Sequence, residues 1–351
     1  MRSTRKTNPA VRPSAFDLFS GCGGLTVGMK RAGFCVLAAV ENWDIAAHAY
    51  ELNHDDVKLI RSDIRECDPV KLMRSLDLRA GDLDLLAGCP PCQGFSSLRT
   101  LNGSIRVTDR QNDLIFEFVR FAIALLPKTI LLENVPALEK DKRLVRVTSI
   151  LQKAGYDCSA KVLDAADYAV AQRRRRLLFL ASRIGKVSFP NPARKSVTVR
   201  SVIGGLPKPG DSGDPLHDSQ AEHSPHVAKM IKLIPKDGGS RADLGPGAQL
   251  PCHQRLEGFH DIYGRMRWDD VSPTITTGCI NPSKGRFLHP EQHRAISLRE
   301  ASLLQGFPKR YRLPLERGRY PVAQLIGNAF PPEFVRRQAV QLRRLLLQSD
   351  M

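Results

Sequence analysis

Apolar positions in the first half of the chain fall in short runs separated by longer amphipathic stretches. The runs Phe16–Phe19, Val36–Val40, Asp84–Ala87, Thr129–Leu132 and Leu177–Ala181 have the length of buried strands. Between them, residues 113–126 carry apolar side chains at helical spacing, and Pro127 closes that helix. Strands alternating with helices predict an α/β fold, a doubly wound and mostly parallel sheet with both faces covered.

After Arg183 the texture changes. Residues 186–250 are rich in Pro and Gly with few sustained apolar runs, which predicts a second, smaller, loop-rich unit. Helical pattern returns at Ser297–Leu304, where Ser297 and Glu300 have capping-box spacing. Pro331-Pro332-Glu333 then opens a last basic helix over Phe334–Leu347.

The 351 residues are 42% hydrophobic and 25% charged, a composition that argues against disorder, collagen or coiled coil. No apolar stretch approaches the length of a membrane span, and the basic segment MRSTRKTNPAVRPSAF lacks the apolar run of a signal peptide, so a cytosolic protein is expected. Fifty-three Lys and Arg against 36 Asp and Glu leave a net charge of +17, which favours a polyanionic partner, nucleic acid before membrane. Eight cysteines are too dilute for a disulfide scaffold and are read as reduced thiols.

Four segments carry chemistry. Phe19-Ser20-Gly21-Cys22-Gly23-Gly24-Leu25 follows the first predicted strand and opens a helix, a turn at which a cofactor approaches the backbone. About twenty residues on, Glu41 is placed to accept hydrogen bonds from ribose hydroxyls and Trp43 to stack on a base. This pattern fits a nucleoside cofactor without separating a nicotinamide from S-adenosylmethionine. The second segment, Gly88-Cys89-Pro90-Pro91-Cys92-Gln93-Gly94-Phe95-Ser96, places a C-x-x-C pair at a strand's carboxyl end. A redox dithiol, half a zinc site and a nucleophile compete there; no second pair has ligand spacing, and the following residues do not open a helix, so a nucleophilic Cys92 fits best. Third, Glu133 ends another strand, in a tight exit set by Asn134 and Pro136. Fourth, Arg173 to Arg176 enter the last strand with alternating faces, Arg173 and Arg175 reading as a phosphate-facing strip.

These segments resemble the DNA (cytosine-5)-methyltransferases, with FDLFSGCGGL, ENW, PCQGFS, ENV, QRRRR, REASLLQGFP and IGNAFPP in the family's order over roughly residues 15–340. The resemblance implies an S-adenosylmethionine-dependent, Rossmann-like methyltransferase fold, and a metal-free reaction that leaves S-adenosylhomocysteine. By the same resemblance, Cys92 adds to C6 of a flipped cytosine, Glu133 holds N3 and the exocyclic amine, and Arg174 and Arg176 match the Q-x-R-x-R arginines, Arg176 contacting O2. The resemblance puts Phe19, Gly21, Gly23, Leu25, Glu41, Trp43, Asp63, Ile64, Leu114 and Asn328 in the cofactor pocket. Ala329 departs from relatives that carry serine, so no side-chain hydrogen bond is expected there.

The expected organisation is a catalytic domain of residues 1–186 closed by 321–351, with a target-recognition domain and hinge at 187–320. Residues 93–110 are expected to form a lid, and His217, His223, Lys229, Arg241 and Arg255 are unsorted candidates for base reading. The expected partner is double-stranded DNA, bound by a monomer in a prokaryotic cytosol near the nucleoid. A restriction endonuclease acting on the same site without stable binding would be the functional counterpart. An RNA-directed C5-methyltransferase ranks second, because Gln93-Gly94-Phe95-Ser96 is the form typical of DNA enzymes. A catalytically silent DNA-binding regulator is disfavoured by the presence of Cys92, Glu133 and Arg176, and a nicotinamide oxidoreductase leaves the arginine strip unexplained.

Overall fold

The computed structural model describes residues 12–91, 113–249 and 261–349. Its centre is a seven-stranded sheet of β1 (Ser14–Leu18), β2 (Cys35–Glu41), β3 (Lys58–Arg61), β4 (Leu85–Gly88), β5 (Thr129–Asn134), β6 (Asp157–Asp164) and β7 (Arg175–Ser182), in the order β3-β2-β1-β4-β5-β7-β6. The first five strands run parallel, whereas β7 is antiparallel to both β5 and β6. The sheet is therefore mixed, and the strand order reverses between β1 and β4, where doubly wound sheets open a crevice at their carboxyl ends.

Alternation along the strands fills two cores. Phe16, Leu18, Val40, Leu86, Leu132 and Phe179 face one side, against α3 (Pro69–Arg74), α4 (Leu114–Leu125) and α5 (Lys142–Lys153). Ala15, Val36, Leu85, Leu131, Leu178 and Leu180 face the other, against α1 (Gly24–Arg31) and the long C-terminal helix over Pro332–Ser349. The helix α2 (Asp44–Glu51) follows β2 directly. Nearly every predicted strand and helix lies within two residues of its observed bounds. The strands β3 and β6 fall outside the predicted runs; KLIR has no fully buried residue and DCSAKVLD buries only Leu163, so neither carries a strong period-two signal.

A third core gathers the later residues. The helices α6 (Val199–Ile203), α7 (Pro215–Asp218), α8 (Pro225–Leu233), α9 (Leu298–Gln305) and α10 (Arg319–Asn328) precede α11 (Pro332–Ser349). Val199, Trp268, Ile275, Leu298, Leu304 and Val322 pack together and also meet Cys22, Val27 and Ala46 near the first glycine turn. The predicted capping box is formed: the Ser297 hydroxyl accepts from the Glu300 N–H at 3.0 Å, and the Glu300 carboxylate accepts from the Ser297 N–H at 2.7 Å. Arg265, fully buried, donates to the carbonyls of Ile231, Ile234, His289 and Gln292, which gives this irregular region a polar hub instead of a sheet. Among the described residues no helix is long and apolar enough to cross a membrane.

Candidate active site

A cleft of about 760 Å³ opens at the carboxyl ends of β1, β2, β4 and β5. Its floor is the turn after β1. Phe19 (φ 59°), Gly21 (φ 55°) and Gly23 (φ 91°) all take left-handed backbone, which coils residues 19–23 tightly into the first turn of α1. Gly23 is fixed twice over, since a Cβ there would also lie 2.5 Å from the His54 ring and 2.6 Å from the Tyr311 hydroxyl. It serves to bring the turn against these two side chains and does not itself line the cleft.

Glu41, at the end of β2, ties this turn together. One carboxylate oxygen accepts from the Gly21 N–H at 2.7 Å, and the other accepts from the N–H groups of Trp43 and Asn42 at 2.8 and 3.1 Å. Burial raises its pKa, and these backbone donors oppose the rise. A carboxylate has about four acceptor positions, so three backbone bonds leave room for about one hydroxyl donor rather than a pair. Trp43, Ile64 and Leu114 supply apolar wall, and Asp63 lines the same end with its carboxylate held by the Arg65 N–H and guanidinium at 2.9 and 3.0 Å.

At the other end, Glu133 closes β5 and pairs with Arg176 of β7, Nε to Oε1 at 2.9 Å, both side chains largely buried. Antiparallel pairing of β5 with β7 makes this contact, because it places Glu133 opposite Leu178, two residues along the strand from Arg176. Arg174 plays a different part. Fully enclosed, it donates to the carbonyls of Ile275 and Gly327 at 3.1 Å each, while its Nε has no partner. Burial pushes its pKa down to about 9, with Arg176 adding repulsion. Arg173 and Arg175 are exposed, as alternation predicts, and Arg173 lies 3.8 Å from Asp164.

Beside this pair, the Asn134 amide donates to the Pro90 carbonyl at 3.0 Å and so secures the segment leading toward Cys92. Burial, reinforced by Glu133, holds the Cys89 thiol well above its ordinary pKa, which weighs against a redox dithiol. Cys92, the 93–110 segment and Arg255 lie outside the described residues. Among the described residues no group of three His, Cys, Asp or Glu stands together as a metal site.

The cleft thus gathers Phe19, Gly21, Leu25, Glu41, Trp43, Asp63, Ile64, Leu114, Glu133, Arg174, Arg176 and Asn328. Sequence reasoning missed the wall made by Thr274 to Thr277 and Gln324. The only signal for it was the glycine of IGNAFPP: a Cβ on Gly327 would fall 2.3 Å from the Thr276 carbonyl carbon and the Thr277 nitrogen, so the two backbones touch. Of the base-reading candidates, His217 is buried, bonded to Ser297 and the Pro207 carbonyl, and belongs to the framework.

The doubly wound sheet carries the glycine turn, Glu41 and the Glu133–Arg176 pair in one cleft, and residues 14–344 match the family of C-5 cytosine-specific DNA methylases. The chain belongs to that family. It is 35% identical to the type II methylase M.HgiDII of Herpetosiphon aurantiacus, covering 95% of this chain and 96% of that one. It is 32% identical to the type II methyltransferase M1.HphI of Haemophilus parahaemolyticus, covering 90% and 82% respectively. The fold is shared with a solved E. coli chain described as a prophage-encoded DNA modification methyltransferase, at TM-score 0.69 and 23% identity over 95% of this chain and 99% of that one. It is also shared with the S. pombe Dnmt2 methyltransferase, at TM-score 0.59 and 18% identity over 97% and 100%.

Proposed function

We propose that this DNA cytosine-5-methyltransferase methylates C5 of a cytosine flipped out of a specific duplex sequence, through a covalent bond from Cys92 to C6. The observation that carries the reading is the Glu133–Arg176 pair in the same cleft as the glycine turn and Glu41. S-adenosylmethionine supplies an electrophilic methyl group when bound. Phe19, Gly21, Leu25, Glu41, Trp43, Asp63, Ile64, Leu114 and Asn328 would hold it, with the free acceptor position on Glu41 matching a ribose hydroxyl.

Cytosine C5 is a poor nucleophile until the ring gains electrons. Addition of the Cys92 thiolate at C6 provides them, Glu133 binds N3 and the exocyclic amine as charge accumulates, and Arg176 holds O2. Arg174, buried behind this pair, adds positive potential. Loss of the C5 proton after transfer lets Cys92 depart. Flipping costs a few kcal/mol and is offset by these pocket contacts.

In this reading residues 1–186 with 321–351 form the catalytic domain, 187–320 read the DNA, and the segment after Cys92 covers the flipped base. The type II names of the relatives support a modification role that protects a site from a cognate endonuclease. The same reading makes the enzyme a monomer in the cytosol.

Duplexes with 5-fluorocytosine at the target test the chemistry, since fluorine cannot leave as a proton does. The wild-type chain and Cys89→Ser should form a complex stable to denaturant and Cys92→Ser should not; an adduct surviving in Cys92→Ser refutes the assignment. Bisulfite sequencing of plasmid from expressing cells gives the target sequence, and transfer only to RNA would favour the RNA-directed alternative.

A further inference from the structure

Gln172 and Gln305 are both fully buried and hydrogen-bonded to each other across 133 residues of sequence, the Gln172 amide nitrogen donating to the Gln305 oxygen at 2.5 Å. At one end, the Gln172 oxygen accepts from the Ile275 N–H at 2.9 Å; at the other, the Gln305 nitrogen donates to the Ala329 carbonyl. Only one orientation of the two amides satisfies a backbone donor at one terminus and a backbone acceptor at the other, so the direction of the chain is fixed. Arg174 forms a second tie across the same gap, from the arginine strip to Ile275 and Gly327. Alternate residues of the strip therefore grip both polar groups of Ile275, and the two ties anchor carbonyls on either side of Asn328. Ile275, Asn328 and Ala329 all line the cleft.

We propose that Gln172 and Gln305 are positioning residues that hold the cofactor end of the cleft, at Asn328 and Ala329, at a set distance from its base-binding end at Arg174 and Arg176. Neither glutamine lines the cleft, so the effect is transmitted through the backbone. The inference rests on the reading of the cleft as an S-adenosylmethionine and cytosine site.

The test uses calorimetry of the full chain with S-adenosylhomocysteine, beside the thermal melt, for wild type, Gln172→Met, Gln305→Met, the double variant and Gln305→Glu. Each methionine variant should weaken binding about tenfold, the worth of one buried hydrogen bond. The double variant should be no weaker than the singles, because either change already breaks the chain. Gln305→Glu keeps the shape but sets an oxygen against the Ala329 carbonyl. Its affinity should be poor at pH 8 and approach wild type near pH 6, as a protonated carboxyl regains the donor. A side chain that merely fills space would give no such profile. Wild-type affinity in the methionine variants, additive losses in the double variant, or a Glu variant that parallels wild type across pH overturns the proposal. If the methionine variants do not melt cooperatively, the pH comparison decides. A wild-type chain that binds no S-adenosylhomocysteine overturns the functional reading itself, and this inference with it.

Discussion

Two carboxylates sit in the folded chain with opposite purposes. Glu133 is paired with Arg176 and lines the cleft, where the proposed reaction would build charge on the base. Glu133→Gln keeps the shape and one acceptor but loses the charge, and should lower methyl transfer about 100-fold or more while leaving S-adenosylhomocysteine affinity nearly unchanged. Single-turnover transfer beside calorimetry separates the two effects. Asp17, in β1, is fully buried; its one partnered oxygen accepts from Thr26 at 2.6 Å and its other has none. Burial raises its pKa from 3.8 to about 7, the Thr26 hydroxyl opposing the rise. A group raised in this way costs nothing below pH 3.8 and progressively more as the pH climbs to about 7. Asp17→Asn should therefore gain stability over wild type between those values and hold the gain above them, as read by urea unfolding at several pH values. Glu133 was legible as a strand-end acid, but nothing in FDLF marks Asp17 as an enclosed carboxyl, because its enclosure depends on α1 and α2.

Between elements, the charged ties are as important as the apolar cores. Arg174 at the entry to β7 is the sole hydrogen-bonding link described from that strand entry to Gly327, and Arg174→Met would strand two buried carbonyls. Urea unfolding should show a loss of about 3 kcal/mol. The capping box of α9 was readable from Ser297 and Glu300 alone. What was not readable is that Glu300, 1% exposed, also binds Arg294 through both oxygens at 2.7 Å. Burial, the largest single influence, raises its pKa, but the Arg294 hydrogen bonds and charge, with His289 and the Ser297 N–H, together outweigh it and leave the group below 4.5. Its stabilisation is present above pH 4.5 and disappears as the pH falls through the lower folded value. Glu300→Gln should accordingly be much less stable than wild type at pH 7, with the gap narrowing in acid. Elements with strong periodicity, such as α4 and β5, could be placed from sequence. The edge strand β6 and the Thr274–Thr277 wall could not, since both are defined by neighbours distant in sequence.

At the scale of the whole molecule, the charge of +17 predicts strong, salt-sensitive binding to duplex DNA. Arg175 is exposed beside the buried Arg174 and, in the proposed reading, would meet a phosphate. Arg175→Ala should weaken binding to all duplexes alike and reduce the slope of log affinity against log salt by about one, measured by fluorescence anisotropy between low and moderate salt. A variant that instead changed the preferred sequence would make Arg175 a base reader.

The cleft is also built from segments far apart in sequence: the turn at residues 19–24 lines it beside Asn328, Ala329 and Phe330, and a Cβ on Gly24 would fall 2.5 Å from the Phe330 carbonyl oxygen. On a ribosome adding about 5–20 residues per second, the second half of this pocket emerges roughly 15–60 s after the first. Until then the nascent chain has a glycine turn without the 329–330 segment that packs against Gly24. A prematurely terminated product, even one carrying Cys92 and every strand of the sheet, would lack the far wall and be inert toward the genome. Methylating activity is thus expected only once residues 328–330 have been made and have closed on the glycine turn.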